Sequence, residues 1–405
     1  MRKKMKCVIL AAGEGNRMHP LTYTRPKVML PIAGKPILEW NLLNARAAGL
    51  KEFIFVVSYK SEMVREYFGD GKSWNVKINY VNQGKAMGTA HAIGTVEPFV
   101  SDCIVLCGDT IFGSNDIKQI AKKGTKIGLV KIDNATDYGI VELKKNHVVK
   151  IYEKMEHPLS NVINAGIYHF NKHIFNSIRK TEKSPRGEFE ITDSINMLVS
   201  KEPMEGVFLK EWRDVVYPWH LLDANEELLK KLRTKIQGTV EKNVVMKGIV
   251  VVGKGTVIRS GTYIEGPVVI ANNSKIGPNC YLRPYTTIGN NCHVGNACEV
   301  KNSIIMDYSN VPHLNYVGDS IIGQHCNLGA GTTVANLRLD KNNIVVTLNG
   351  KKIDSKRRKL GMVMGDNVQT GINSIINVGT MIGNNVFIGL GAMAKGEIKP
   401  DTRIL

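Results

Sequence analysis

Two hydrophobic periodicities divide the chain. Up to about residue 230, short β-branched runs alternate with stretches of helical spacing. Lys6–Leu10, Phe53–Ser58, Lys77–Asn82 and Cys103–Cys107 read as strands, and Ile37–Ala48, Ser61–Phe68 and Thr89–Val96 as helices. Strands alternating with helices predict an α/β, doubly wound, mostly parallel sheet, whose ligands bind beyond the carboxyl ends of the strands. Leu221–Ile236 has the spacing of an amphipathic helix ending at Gly238. The expected domains are therefore 1–220, a linker helix within 221–240, and 241–405.

In the last of these an aliphatic residue recurs at every sixth position. The column runs Met246, Val252, Ile258, Ile264, Ile270, Ile276, Leu282, Ile288, Val294, Val300 and Met306. After a slip it resumes at Ile322, Leu328 and Val334, and again from Met364 through Thr370, Ile376, Ile382 and Ile388 to Ala394. A period of six fits neither an α-helix nor an ordinary strand. It predicts a left-handed parallel β-helix, three hexads to a coil, with the column pointing into the prism. Residues 337–360 interrupt the repeat with an insertion rich in Lys and Arg. That insertion reads as a solvated hairpin, or as one whose run Lys356–Lys359 meets ligand phosphates.

Composition narrows the class. A chain of 405 residues with 43% apolar and 22% charged residues is that of a globular protein with two or three domains. No apolar run approaches the roughly 20 residues of a membrane span. The basic start Met1–Lys4 ahead of Cys7–Ala12 mimics a signal peptide, but Gly13–Arg17 cuts its apolar stretch short, so a strand and a cytoplasmic location are expected. Seven cysteines without a C-x-x-C pair imply reduced thiols. Cys280, Cys292, Cys298 and Cys326 each stand two residues before a column member, as small inward side chains at coil corners would. The net charge of +18 suits nucleic acid, an acidic surface or phosphorylated small molecules. Its scatter, without aromatic interleaving, argues against nucleic acid.

The candidate chemistry begins at Ala11-Ala12-Gly13-Glu14-Gly15-Asn16-Arg17, a Gly-rich turn after the first strand. Its backbone N–H groups can cradle a triphosphate, with Arg17 as a phosphate-facing charge. It is neither a Walker A loop nor a dinucleotide fingerprint. Arg25-Pro26-Lys27 presents Lys27 from a fixed turn. Gln83, Gly88 and Thr89 open a second backbone-donor site, and Asp109 ends a strand as a hard oxygen donor for Mg2+.

Together these motifs resemble the sugar-phosphate nucleotidyltransferase (pyrophosphorylase) family, from Lys6 to about Asn225. That resemblance implies that Arg17 and Lys27 are catalytic and hold the triphosphate with Ala11, Ala12 and Gly13. It makes Gln83, Gly88 and Thr89 the base-reading positions and Asp109 a Mg2+ ligand. Tyr138, Gly139, Glu153 and Asn164 are then expected to hold the sugar and its 2-acetamido group. The second metal ligand is expected at Asp223, with Asn225 as the other candidate.

In the β-helix, His313 stands where the column slips, and an imidazole there can deprotonate an amine. With Arg283, Lys301, Tyr316, Asn327, Ala330 and Asn336 it resembles the acetyltransferase domain of the bifunctional enzymes that make UDP-N-acetylglucosamine, in an archaeal-type branch. The resemblance implies His313 as general base and a phosphate clamp of Arg283 and Lys301. Tyr316, Asn327 and Asn336 would orient the amino sugar, and Ala330 with Asn336 would lie along acetyl-CoA. It implies UTP, a hexosamine 1-phosphate and acetyl-CoA as substrates, no nucleic acid or membrane partner, and a homotrimer or dimer of trimers. Gly371, at a position where that family places a CoA-holding serine, departs from the pattern. A pyrophosphorylase for another hexose on a purely structural β-helix is the competing reading. A non-enzymatic exchange-factor subunit is the third, and Arg17, Lys27 and Asp109 speak against it.

Overall fold

The computed structural model describes residues 5–405, so the basic start Met1–Lys4 lies outside the described residues. The chain forms two compact units, and neither is continuous in sequence. The first comprises the chain up to Glu14 together with Ile37–Asp214, and the second Gly15–Pro36 together with Val215–Leu405. The expected boundaries at 220 and 241 are thus displaced, and a 22-residue excursion after the first strand belongs to the second unit.

The first unit is built on one nine-stranded sheet. Its strands are β1 (Lys6–Ala11), β2 (Glu52–Val57), β3 (Lys77–Asn82), β4 (Cys103–Cys107), β6 (Lys126–Lys131), β7 (Gly139–Lys144), β8 (His147–Glu153), β9 (Val162–Phe170) and β10 (Glu205–Phe208). Short strands β5 (Thr110–Phe112) and β11 (Trp212–Asp214) form a separate antiparallel ribbon. The sheet order is β3-β2-β1-β4-β9-β6-β10-β8-β7. Strands β3, β2, β1 and β4 pair in parallel, as their near-continuous apolar runs require, and β9 then enters antiparallel. Between the parallel strands lie α1 (Ile37–Ala47), α2 (Ser61–Phe68) and α3 (Thr89–Gly94), each within two residues of its expected span. Val8, Ile54, Val105, Ile127 and Tyr168 are fully or nearly fully buried in one core under this sheet.

In the second unit, α4 (His220–Leu229) stops seven residues earlier than the amphipathic spacing predicts. Lys235–Ile236 instead pairs with Val251–Val252 and opens the first β-helical coil. A ladder to the next coil here overrides local helix propensity.

From that point two- to four-residue strands stack in parallel on three faces. Val252 lies over Ile270 and Ile288, Ile258 over Ile276 and Val294, and Ile264 over Leu282 and Val300. These inward residues are fully buried in one continuous core. The corners turn through left-handed backbone at Asn273, Asn279, Asn291, Asn373 and Asn385, which asparagine tolerates better than most residues. Cys280, Cys292, Cys298 and Cys326 are buried at corners, and each thiol faces a carbonyl of the following coil, for example Cys292 Sγ to Met306 O at 3.2 Å. Ser274 and Ser309 donate hydroxyls in the same way.

Two features of the column differ from expectation. Ile288 pairs with Ile305, and Ile305 with Ile322, so the register slips one residue before Met306 and again before Ile322. Val311 and Val317 fill the prism between the slips, so no break occurs at His313. Met306 is buried for another reason: its sulfur receives Arg25 Nη1 at 2.9 Å. Met246, in the first coil, is partly exposed.

The insertion is a hairpin, Val345–Leu348 against Lys351–Asp354, turning at Asn349-Gly350 with both residues left-handed. It is only half solvated, because Ile344, Val346 and Leu348 are buried. Among the described residues no helix is long and apolar enough to cross a membrane.

Candidate functional site

In the first unit the predicted residues gather at the carboxyl ends of the strands. Ala11 and Ala12 are buried at the end of β1, and Gly13 is exposed just beyond. Buried Gln83 follows β3 and directs its amide to Gly88 O (3.3 Å) and the His91 ring (3.1 Å), which fixes the side chain below α3. Gly88 leads into Thr89, the first residue of α3.

Asp109 sits in the turn between β4 and β5. That turn is held by Asn41, a fully buried side chain of α1 that donates to Thr110 O (2.7 Å) and Gly108 O (3.4 Å). Gly108 N–H also bonds back to Leu10 O, which ties the turn to β1. On the antiparallel ribbon Asp214 stands directly opposite Thr110, the neighbour of Asp109. Tyr138 reports on both carboxylates. Its phenol is held well above the usual tyrosine range, first by burial, then by the charge of Asp214, to which it hydrogen-bonds, and further by Asp137 and Asp109.

Gly139 and Glu153 are cross-strand neighbours on β7 and β8. Asn164 lies at the register shift in β9, donating to Tyr168 Oη (2.7 Å) and accepting from Gly166 N–H (3.0 Å). Arg186 bridges Glu153 (3.0 Å) and Glu190 (2.7 Å).

In the second unit Arg17 is exposed on the short turn Asn16–Met18. Gly15, at φ +73°, brings the backbone against the stem of Lys27: a Cβ there would stand 2.8 Å from Lys27 Cβ. Glycine is required at this point both by the left-handed backbone and by the close approach. Arg25, whose side chain is 4% exposed, forms an ion pair with Asp366 and donates to Gln324 (2.9 Å). Arg25 therefore anchors the excursion, leaving Lys27 as the half-exposed cation of the motif.

The acetyl-transfer candidates line the face of the β-helix that carries Tyr316–Gly318 and the corners at its two ends. His313 is exposed at the end of Asn310–His313, and Tyr316 opens the next face. Gly331, one coil on and next to Ala330, donates to His313 O at 3.1 Å. Asn327 bridges the backbones of Asn310 and Gln369.

The second of these corners, where Tyr316–Gly318 turns into Ile321–Ile322, centres on a residue the spacing did not mark. Asp319, with a side chain 3% exposed, accepts from Asn336 (2.6 Å), Asn302 (2.7 Å) and Lys301 (3.2 Å), and Arg357 approaches to 3.9 Å. Asn336 reaches on to Tyr316 Oη at 3.2 Å. Arg283 is separate, paired with Glu299 at 2.7 Å. At Gly371 any side chain would meet the next coil, with a Cβ 2.7 Å from Leu390 N, which accounts for the absence of a serine.

Both expected candidates for the second metal ligand have structural partners. Asp223 forms an ion pair with Arg357 of the insertion. Asn225 is fully buried, accepting from Ala33 N–H and Thr287 Oγ1 and donating to Tyr285 O, each at 2.8 Å. The carboxylate that the ribbon brings beside the Asp109 turn is Asp214, opposite Thr110, and the charges of both bear on Tyr138. Two carboxylates are the usual protein contribution to a Mg2+ site completed by substrate phosphates, so this pair fits a divalent cation. Among the described residues no cluster of three or more metal-ligating side chains occurs.

A family model described as nucleotidyl transferase matches residues 6–231, and one described as the GMPPB C-terminal domain matches residues 264–384. The bifunctional protein GlmU of Methanocaldococcus jannaschii is 42% identical over 401 residues, 98% of this chain and 97% of its own. The chain belongs to the bifunctional GlmU family. The bifunctional sugar-1-phosphate nucleotidylyltransferase/acetyltransferase of Sulfurisphaera tokodaii is likewise 42% identical, over 97% of this chain and 98% of its own. Among solved structures, UDP-glucose pyrophosphorylase complexed with UDP-glucose covers 57% of the chain with a TM-score of 0.53 at 22% identity, a likeness of fold. Its apo form covers 56% with a TM-score of 0.52.

As a GlmU-family member the chain is an enzyme with a nucleotidyltransferase and an acetyltransferase half, activities that call for a divalent cation and acetyl-CoA. Asp214, Asn41 and Asp319 are the residues at these candidate sites that sequence reasoning passed over. Only Asp319 carried a local signal, a second Gly-Asp pair after a short apolar strand.

Proposed function

We propose that this chain makes UDP-N-acetylglucosamine in two steps, acetylating glucosamine 1-phosphate in the β-helix and transferring a uridylyl group in the α/β unit. The observation that carries the bifunctional reading is the buried Asp319 network. Buried Asp366 serves to anchor Arg25, whereas Asp319 is buried against residues that the acetyl-transfer reading itself names, Lys301 and Asn336, and through Asn336 it reaches Tyr316.

In the first step His313 takes a proton from the amine of glucosamine 1-phosphate as the nitrogen attacks the thioester carbonyl. The tetrahedral intermediate then collapses, the C–S bond breaks, and coenzyme A leaves as the thiol after taking up a proton. Lys301 and Arg283 bind the sugar phosphate, while Tyr316, Asn327 and Asn336 orient the sugar. Ala330 and Asn336 line the acetyl-CoA path. The site would be completed between subunits of a homotrimer.

In the second step a phosphate oxygen of N-acetylglucosamine 1-phosphate attacks the α-phosphorus of UTP in line, and pyrophosphate leaves. Arg17 and Lys27 neutralise charge building on the triphosphate, with Ala11, Ala12 and Gly13 donating from the backbone. Gln83, Gly88 and Thr89 read the base, and Tyr138, Gly139, Glu153 and Asn164 hold the sugar. Asp109 and Asp214 would hold Mg2+, which when bound offsets phosphate charge.

The deciding experiment is thiol release from acetyl-CoA with glucosamine 1-phosphate, comparing wild type with His313→Ala. Release that disappears in the variant supports the reading. No release from wild type, with pyrophosphate still formed from UTP and N-acetylglucosamine 1-phosphate, leaves a pyrophosphorylase on a structural β-helix.

A further inference from the structure

The insertion carries the densest run of positive charge in the chain, and its fold places that run beside the Asp319 corner of the acetyl-transfer face. Ser355 locks the base of the hairpin, with its hydroxyl on Ile344 O (2.7 Å) and its own oxygen accepting from Arg357 N–H (3.2 Å). The return stretch is then clamped to the β-helix. Lys359 bridges Leu337, Leu360 N–H bonds to Asn336 O (3.0 Å), and Gly361 N–H bonds to Asp319 O (2.9 Å). Both ends of the insertion are thereby fixed to residues of the Asp319 network.

Between the two ends lies an open cleft of about 610 Å3, lined by Leu337, Asp223, Lys341 and the run Lys356–Lys359. Its volume lies in the range of small-molecule sites, roughly 300–1,000 Å3. Five cations line it against one carboxylate, and that carboxylate, Asp223, is matched to Arg357. Arg357 is 16% exposed and spans from Asp223 toward Asp319, so it works as a structural pin. Lys356 pairs with Asp354. Among the described residues no carboxylate stands within ion-pair distance of Lys341, Arg358 or Lys359. Like charges held this close by a fixed backbone repel one another, and an anion relieves that repulsion best when it can accept from a planar guanidinium and an ammonium together.

Resting on the acetyl-transfer reading above, we propose that this cleft is a phosphate-binding site of the acetyl-transfer centre, with Lys341, Arg358 and Lys359 as its contacts and Arg357 holding it against Asp319. Leu337 lines the cleft and directly follows Asn336, so a phosphate seated there lies alongside the network that orients Tyr316. The chemistry recognised is a phosphate ester. It comes either from the 3′-phosphate and diphosphate of the acetyl donor, or from the phosphomonoester of the acceptor sugar, in which case the cleft takes that phosphate in place of Lys301 and Arg283.

The test is calorimetric titration of the full chain with glucosamine 1-phosphate and, separately, with adenosine 3′,5′-bisphosphate. Wild type is compared with an Arg358→Ala/Lys359→Ala double variant whose melting temperature is unchanged. Removing two charge-assisted contacts is expected to weaken one probe at least about tenfold. Loss confined to the bisphosphate assigns the cleft to the donor, and loss confined to glucosamine 1-phosphate assigns it to the acceptor. Equal affinities in wild type and variant for both probes, or no binding of either to wild type, overturns the proposal. If probe binding is lost in the variant but wild type releases no thiol from acetyl-CoA, the acetyl-transfer reading fails and the phosphate site stands.

Discussion

Replacing Asn225 by leucine or by aspartate separates a structural staple from a metal ligand. Its amide closes three hydrogen bonds in a site without solvent exposure, and two of the backbone partners belong to residues in left-handed conformation, Ala33 (φ 49°) and Tyr285 (φ 68°). Asn225→Leu keeps the volume but strands the N–H of Ala33, the hydroxyl of Thr287 and the carbonyl of Tyr285. Each buried unsatisfied group costs about 1–3 kcal/mol, so a loss of about 3–6 kcal/mol is expected after partial relaxation. For a unit of this size that lowers its melting transition by at least about 6 °C. Asn225→Asp retains two acceptors but turns a carboxylate oxygen toward the Tyr285 carbonyl, where an anion is disfavoured. Its folded-state pKa would rise above the unfolded value, so the penalty applies at neutral pH and shrinks as the pH falls through the raised value and the protonated acid donates again. Thermal unfolding followed by circular dichroism from pH 5 to 8, beside a Mg2+ titration of pyrophosphate release, reads both effects. A leucine or aspartate variant that melts within about 1 °C of wild type, or an aspartate variant that mainly shifts the Mg2+ requirement, would refute the staple.

Asp214→Asn is expected to raise the Mg2+ concentration for half-maximal pyrophosphate release at least about tenfold, whereas Asp223→Asn leaves it within about twofold; the reverse ranking would restore Asp223 as the ligand. Asp319→Asn preserves shape but removes the charge facing Lys301 and Arg357, so thiol release should fall about 10- to 100-fold in kcat/KM, with pyrophosphate release as the folding control. Burial pushes the thiols of Cys280, Cys292 and Cys326 up to about 12, so a thiol reagent at pH 8 should react at once with no more than about one cysteine, half-buried Cys107, and with all seven in denaturant. Burial, and after it the charges of His313, Arg259 and Lys275, hold His293 below its usual 6.5. The unfolded chain then binds more protons between that depressed value and 6.5, so stability should rise with pH across the window, and His293→Gln should flatten the slope.

The chain's own spacing determined a good deal. Each strand and helix expected through Cys107 is present within two residues of its span, because each repeats a local pattern of buried and exposed positions. The six-residue column likewise announces the β-helix, since each hexad buries its own residue on one of the three faces of the prism. The corner cysteines follow from the same register.

What tertiary structure alone decided are the pairings between residues far apart in sequence. Met306 looks like a column member because it is apolar and buried, yet Arg25, 281 residues away, buries it. Asp214 comes to stand opposite Thr110, beside Asp109, only because two short strands pair antiparallel, and Asn41 fixes that turn from α1. Asp319 is a turn residue in sequence and a buried hub in space, since the coils on either side deliver Asn302 and Asn336 and the insertion delivers Arg357. Periodicity records which face a residue turns inward. Which partner waits there depends on the path of the whole chain, and that is where the charged groups of both sites find their neighbours.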